Sequence, residues 1–165
     1  MNRLCRGLLG LSLFALVVSA VSAQSVWQVV KEARFQASMP GHPVLSQHKT
    51  DTPAGSVIEK RYQVDNKRGS FTLSSTELPG TAILFAGGTG AILDQATEAF
   101  LRESGGVQTS RADVEYQGHK ARRLAYKKQA RQGKALLVMV EHQLVVLDAM
   151  ASAADTTHFL DSLKL

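Results

Sequence analysis

The residues best suited to hold something are a run of cations. Between Lys120 and Lys134 stand Lys120, Arg122, Arg123, Lys127, Lys128, Arg131 and Lys134, with no acid among them. The segment reads as two strands and a hairpin, with Gln129 to Gly133 as the expected loop tip. Strand alternation puts Arg122 and Lys128 on one face and Arg123 and Lys127 on the other. Charge then gathers at the hairpin end, where it would meet an anionic partner: lipid headgroups or an acidic protein of the cell envelope. Trp27, Tyr62 or Tyr126 would supply an aromatic anchor. The plainer reading is a solvated hairpin, since lysines on strand edges block pairing with other chains.

A second stretch with chemical promise is "FAGGTGAILDQ", residues 85–95. Gly87, Gly88 and Gly90 precede an apolar-periodic run, and a glycine turn feeding a helix N-terminus is a common anion cradle. Both nucleotide fingerprints fail here. G-x-x-x-x-G-K-[ST] counted from Gly87 meets Ile92 at its sixth position, with no lysine after it. G-x-G-x-x-G counted from Gly88 meets Leu93 at its last glycine. Asp94, expected in the first helical turn, would repel an anion. The stretch is therefore read as a hinge where strand period changes to helix period, with Gly87, Gly88 and Gly90 as the rim of a cleft where it serves a function, and not as a phosphate site.

Other chemistries find no pattern. His42, His48, His119, His142 and His158 show no H-x-x-x-H or H-E-x-x-H spacing. His42 and His48 would lie roughly 20 Å apart on a straight strand. There is no G-x-S-x-G, and the carboxylates Glu59, Asp65, Glu77, Asp113, Glu115 and Asp148 are scattered. No catalytic residue, metal site or cofactor site is assigned, and the expectation is a protein that is not an enzyme.

The N-terminus sets the expected compartment. Arg3 and Arg6 precede an apolar run from Leu8 to about Val21, which ends in Val21-Ser22-Ala23. This is the pattern of a secretory signal peptide over 1–23, with one domain from 24 to 165. The run falls short of the roughly 20 apolar residues of a spanning helix, so the expectation is export, most simply to the periplasm, and no membrane span after cleavage. Cys5, the only cysteine, leaves with the signal. The mature chain then has no disulfide, thiolate ligand or cysteine nucleophile. Loss of Arg3 and Arg6 takes 19 basic residues to 17, against 14 acidic. That modest excess in an exported chain is no argument for nucleic acid.

Elements that position these residues follow from periodicity. Arg34 to Met39 alternates and is stopped by Pro40-Gly41. A second strand runs up to Pro53–Gly55. Val57, Tyr62 and Val64 precede a turn at Asn66–Gly69, answered by Phe71 and Leu73. Ile92, Ala96, Ala99 and Phe100 then recur at helical spacing over 91–104, and Gly105-Gly106 ends the helix. Four strands follow, with turns at Gly118, Gly133 and His142-Gln143. The last two are apolar on both faces, so both faces need cover. Ser152 and Asp155 form a weak capping box for a terminal helix that carries Phe159, Leu160 and Leu163. Strands, helix, strands, helix makes an α+β single domain: a largely antiparallel β-sheet sandwiched by two helices.

Three motifs carry a family resemblance: "FQASMPGHP" near the mature N-terminus, "VEYQGHKARRL" after the first helix, and the closing "FLDSLKL". Together they resemble a group of small exported bacterial proteins that share the fold of the PsbP-like extrinsic photosystem proteins and the DcrB-like periplasmic proteins. Met39 stands where that group more often has Phe or Tyr, and Leu163 where it closes on Phe. The resemblance implies an antiparallel sheet between helices and a binding or accessory role. Two more specific roles follow from the residues. One is a small-ligand carrier with a cleft between the sheet and the 91–104 helix. The other is an envelope-surface module docking through the 120–134 hairpin.

Overall fold

A computed structural model describes residues 26–52 and 55–165; the expected signal peptide, 1–23, lies outside the described residues. Strands β1 (Trp27–Lys31) and β2 (Gln36–Pro40) pair antiparallel as a small sheet of their own. The main sheet holds β3 (Val44–Thr52), β4 (Gly55–Asn66), β5 (Gly69–Glu77), β6 (Val107–Tyr116), β7 (His119–Lys128), β8 (Arg131–Val140) and β9 (Gln143–Ala151). Its order is β3-β4-β5-β9-β8-β7-β6, with every neighbour antiparallel. Helices α1 (Gly80–Phe85) and α2 (Thr89–Ser104) join β5 to β6, and α3 (Ala153–Asp161) closes the chain.

The apolar pattern of β8 and β9 explains their central place. Leu136, Val138, Val145 and Leu147 face one way, with Phe71, Met39 and Phe159 of β5, β2 and α3. Ala135, Leu137 and Met139 face the other way, under Ile92 and Leu93 of α2. Each face buries its own core, so the sheet lies between α1–α2 and a layer made of α3 and the β1–β2 hairpin. This is the expected α+β sandwich, and its two caps match their sequence signals. Gly105 takes the left-handed conformation at φ 66° and ends α2. Ser152 Oγ accepts the Asp155 N–H at 3.1 Å and starts α3.

Three local expectations need correction. A third helix, α1, was not foreseen; six residues are too few to show a helical period. The 120–134 hairpin turns on Gln129 and Ala130 alone, with Gln129 at φ 54°. Gly133 lies in β8 opposite Tyr126, and it has no Cβ because the Tyr126 ring covers it. Asp94 falls beyond the first turn of α2 and caps nothing there.

Candidate functional site

The predicted cation cluster divides when folded. Arg122 points inward on β7 and is only 2% exposed, so it is no contact for an external anion. Its Nε donates to Asp113 Oδ1 at 2.6 Å, and its Nη1 donates to Asp94 Oδ1 at 2.8 Å and to Thr97 Oγ1 at 3.3 Å. Burial alone would lower the Arg122 pKa. The bonds to Asp113 and Asp94 outweigh it and raise the value, so the guanidinium stays charged. The Arg122 hydrogen bond holds the Asp113 carboxyl below its usual value, against a small burial effect. Arg122 thus clasps α2 to β6 and β7. The signal was present: Arg122 shares its strand face with Leu124 and Tyr126, both buried. Tyr126, at 1% exposed, is no surface anchor either.

Arg123 emerges on the opposite face and meets Asp161 of α3 at 3.7 Å. Lys120 sits at the far end of β7, beside the Tyr116–His119 turn. Lys134 is exposed on β8, up the strand from the tip. Lys127, Lys128 and Arg131 remain at the hairpin end.

They are joined there by cations that strand patterning did not associate with them. The β4–β5 turn brings Lys67 and Arg68 to the same end of the sheet. An open groove of about 430 Å³ separates the two hairpins, lined by Asn66, Lys67, Arg68, Arg131, Gln132 and Met150. Arg131 Nη2 donates to Met150 O at 2.8 Å, which fixes its guanidinium on the groove. Arg68 bonds Asp155 at 2.7 Å and lies over the Trp27 ring at 5.9 Å. Among the described residues, Lys67, Lys127, Lys128 and Arg131 form no ion pair. Val107, 71% exposed, stands directly across from Lys127.

The glycine loop divides as well. Gly87 and Gly88 take φ of 90° and 95°, which lets α1 turn into α2. Gly90 lines an open cleft of about 620 Å³ with Leu93, Val114, Gly118, Lys120 and Arg122. Gly87 and Gly88 do not reach it, so only Gly90 is a rim residue.

A smaller cleft of about 160 Å³ opens beside the other end of α2. Phe100, Glu103 and Ser104 form its helical wall, and Arg61, Ser74 and Asp148 belong to the sheet. Tyr126 donates its hydroxyl proton to Asp148 Oδ1 at 2.7 Å. Burial pushes the Asp148 carboxyl up to about 6, against the opposing pull of the Tyr126 bond and the Lys128 charge. Burial also raises the Tyr126 phenol, with the Asp148 charge acting in the same direction. Sequence reasoning placed Asp148 among scattered carboxylates, because its seclusion depends on α2.

The histidines stay apart. His42 meets Gln28 at 3.0 Å, and the His158 ring centroid lies 4.2 Å from that of Trp27. Among the described residues no three His, Cys, Asp or Glu side chains converge on a metal position. No helix among them is long and apolar enough to cross a membrane.

Comparison with known proteins shows the fold. No family model matches the chain, and no curated protein matches it. Among solved structures it is similar to cyanobacterial PsbP (CyanoP) from Synechocystis sp. PCC 6803, with 14% identity and a TM-score of 0.55, over 88% of this chain and 95% of that chain. A Pseudomonas aeruginosa protein of unknown function aligns at 14% identity over 80% of this chain and 87% of its own, with a TM-score of 0.31. The first likeness establishes a PsbP-like fold.

Proposed function

We propose that this protein is an exported, non-catalytic accessory module that docks onto an anionic phospholipid surface through the basic end of its sheet. One observation carries the reading. Lys67 and Arg68 from one hairpin and Arg131 from another line one open groove, and Lys127 and Lys128 stand at the same end of the sheet. Two hairpins distant in sequence supply charge to one end; Arg68 there is paired with Asp155, while Arg122 is buried and Arg123 meets Asp161 away from it. Val107 beside Lys127 adds an apolar contact of the kind an interfacial surface uses. Export rests on the N-terminal pattern of Arg3, Arg6 and the apolar run to Val21. The absence of assigned catalytic motifs and the PsbP-like fold support an accessory role.

Co-sedimentation with phosphatidylglycerol vesicles and with phosphatidylcholine vesicles tests it. Binding should be confined to the anionic vesicles at low salt and fade as salt rises. Equal binding to both vesicle types, or none at low salt, overturns the reading. Binding only to an acidic envelope protein would also replace it.

A further inference from the structure

We propose that the cleft between α2 and the sheet, floored by Asp148, is a binding site for a small primary ammonium group. This inference concerns another face of the molecule and does not rest on the docking reading. It starts from an imbalance. Asp148 sits on β9, in the middle of the main sheet, and among the described residues no basic side chain lies within ion-pairing distance of it. A secluded carboxylate usually has a cation partner, because desolvating an unpaired charge is costly. Tyr126 satisfies Oδ1. The residue also lines an opening to solvent, so a ligand can reach it without unfolding anything.

The walls suit a cation. Glu103 brings a second carboxylate from α2, and Ser74 brings a hydroxyl from β5. Phe100 supplies an aromatic wall next to which an alkylammonium is stabilised. Arg61 is the one cation at the mouth, and it is already met. Its Nη2 bonds Glu59 at 2.8 Å and lies 3.8 Å from Glu103. Two carboxylates, Asp148 and Glu103, therefore line the cleft with one guanidinium, which Glu59 outside the cleft already bonds. Lys128 acts on Asp148 through space from the end of β7 without forming a pair. The volume, about 160 Å³, is close to that of a cavity that takes benzene (~150 Å³). It admits an ammonium on a short alkyl stem, such as the end of an aliphatic amine.

Titration of the full-length protein with n-butylamine, followed by amide chemical shifts, tests the site. Saturable shifts should appear at Phe100, Glu103 and Val146 near neutral pH. n-Butanol, which has the same stem without the charge, should give none. The Asp148→Asn variant keeps an acceptor for Tyr126 and should bind at least about tenfold more weakly. Glu103→Gln, on the exposed side of α2, should lose several-fold and cannot disturb the core. Wild-type affinity should fall about tenfold towards pH 5, as Asp148 takes up a proton. Unsaturable shifts, equal responses to n-butanol, or full binding by both variants would each overturn the proposal. If Asp148→Asn fails to fold, Glu103→Gln and the pH series decide it.

Discussion

Replacing Lys67 with glutamate separates a contact built by tertiary structure from one built by contiguous sequence. Lys67 lies far from the 120–134 run in sequence but shares its groove with Arg131. A lysine or arginine near an anionic bilayer is worth about 1 kcal/mol. Charge reversal removes that attraction and adds a repulsion of similar size, so each reversal costs about 2 kcal/mol at low salt. That is a loss of roughly thirtyfold in vesicle partitioning. Lys67→Glu and Lys128→Glu should therefore each weaken binding by about thirtyfold. Arg123→Glu serves as the control. Arg123 is four residues along β7 from Lys127, roughly 13 Å at strand rise, and this exceeds the ~10 Å screening length of 0.1 M salt. It also faces Asp161. Its reversal should change partitioning by less than about threefold. Co-sedimentation against a lipid series measures all three, with urea unfolding to show that each variant folds. If Lys67→Glu binds like wild type while Arg123→Glu loses binding, the two-hairpin contact is wrong.

Three further perturbations probe the frame that holds these sites. The folded pKa of Asp148, about 6, lies above its ordinary value of 3.8, so the folded state holds the proton more tightly. The associated stability is present below the unfolded pKa and is lost as pH rises between about 4 and 6, by up to about 3 kcal/mol. Asp148→Asn should lack this decline in pH-dependent urea unfolding, and parallel curves for variant and wild type would refute the assignment. Gly133→Ala would place its Cβ 2.3 Å from Tyr126 Cζ. The ring must shift away from Asp148, at about 1–3 kcal/mol, and wild-type stability in denaturant would contradict that packing. Ser152→Ala removes the α3 cap and should cost about 1 kcal/mol, seen as a lower melting temperature.

Much of the fold was legible before folding was considered. Alternation marked the strands from Arg34 onward, and helical spacing with Gly105-Gly106 marked α2. The two-faced apolar character of β8 and β9 called for cover on both sides. These signals are local, since each rests on residues a few positions apart. The site was less legible. Of the seven cations in the 120–134 run Arg122 is buried, Arg123 meets Asp161, and Lys120 and Lys134 lie away from the hairpin tip.

By itself the sequence determined the element types, the caps and the charge inventory, because backbone geometry repeats over two or 3.6 residues and side-chain chemistry is carried with it. Tertiary structure alone decided which charges are spent inside. Alternation says that Arg122 and Lys128 share a face, but the position of α2 decides that Arg122 is clasped by Asp94 while Lys128 stays in solvent. Strand order brings Lys67 to Arg131, and α2 turns Asp148 from an ordinary carboxylate into the floor of a cleft. Electrostatics depends on distance and burial in space, and neither is a function of separation along the chain.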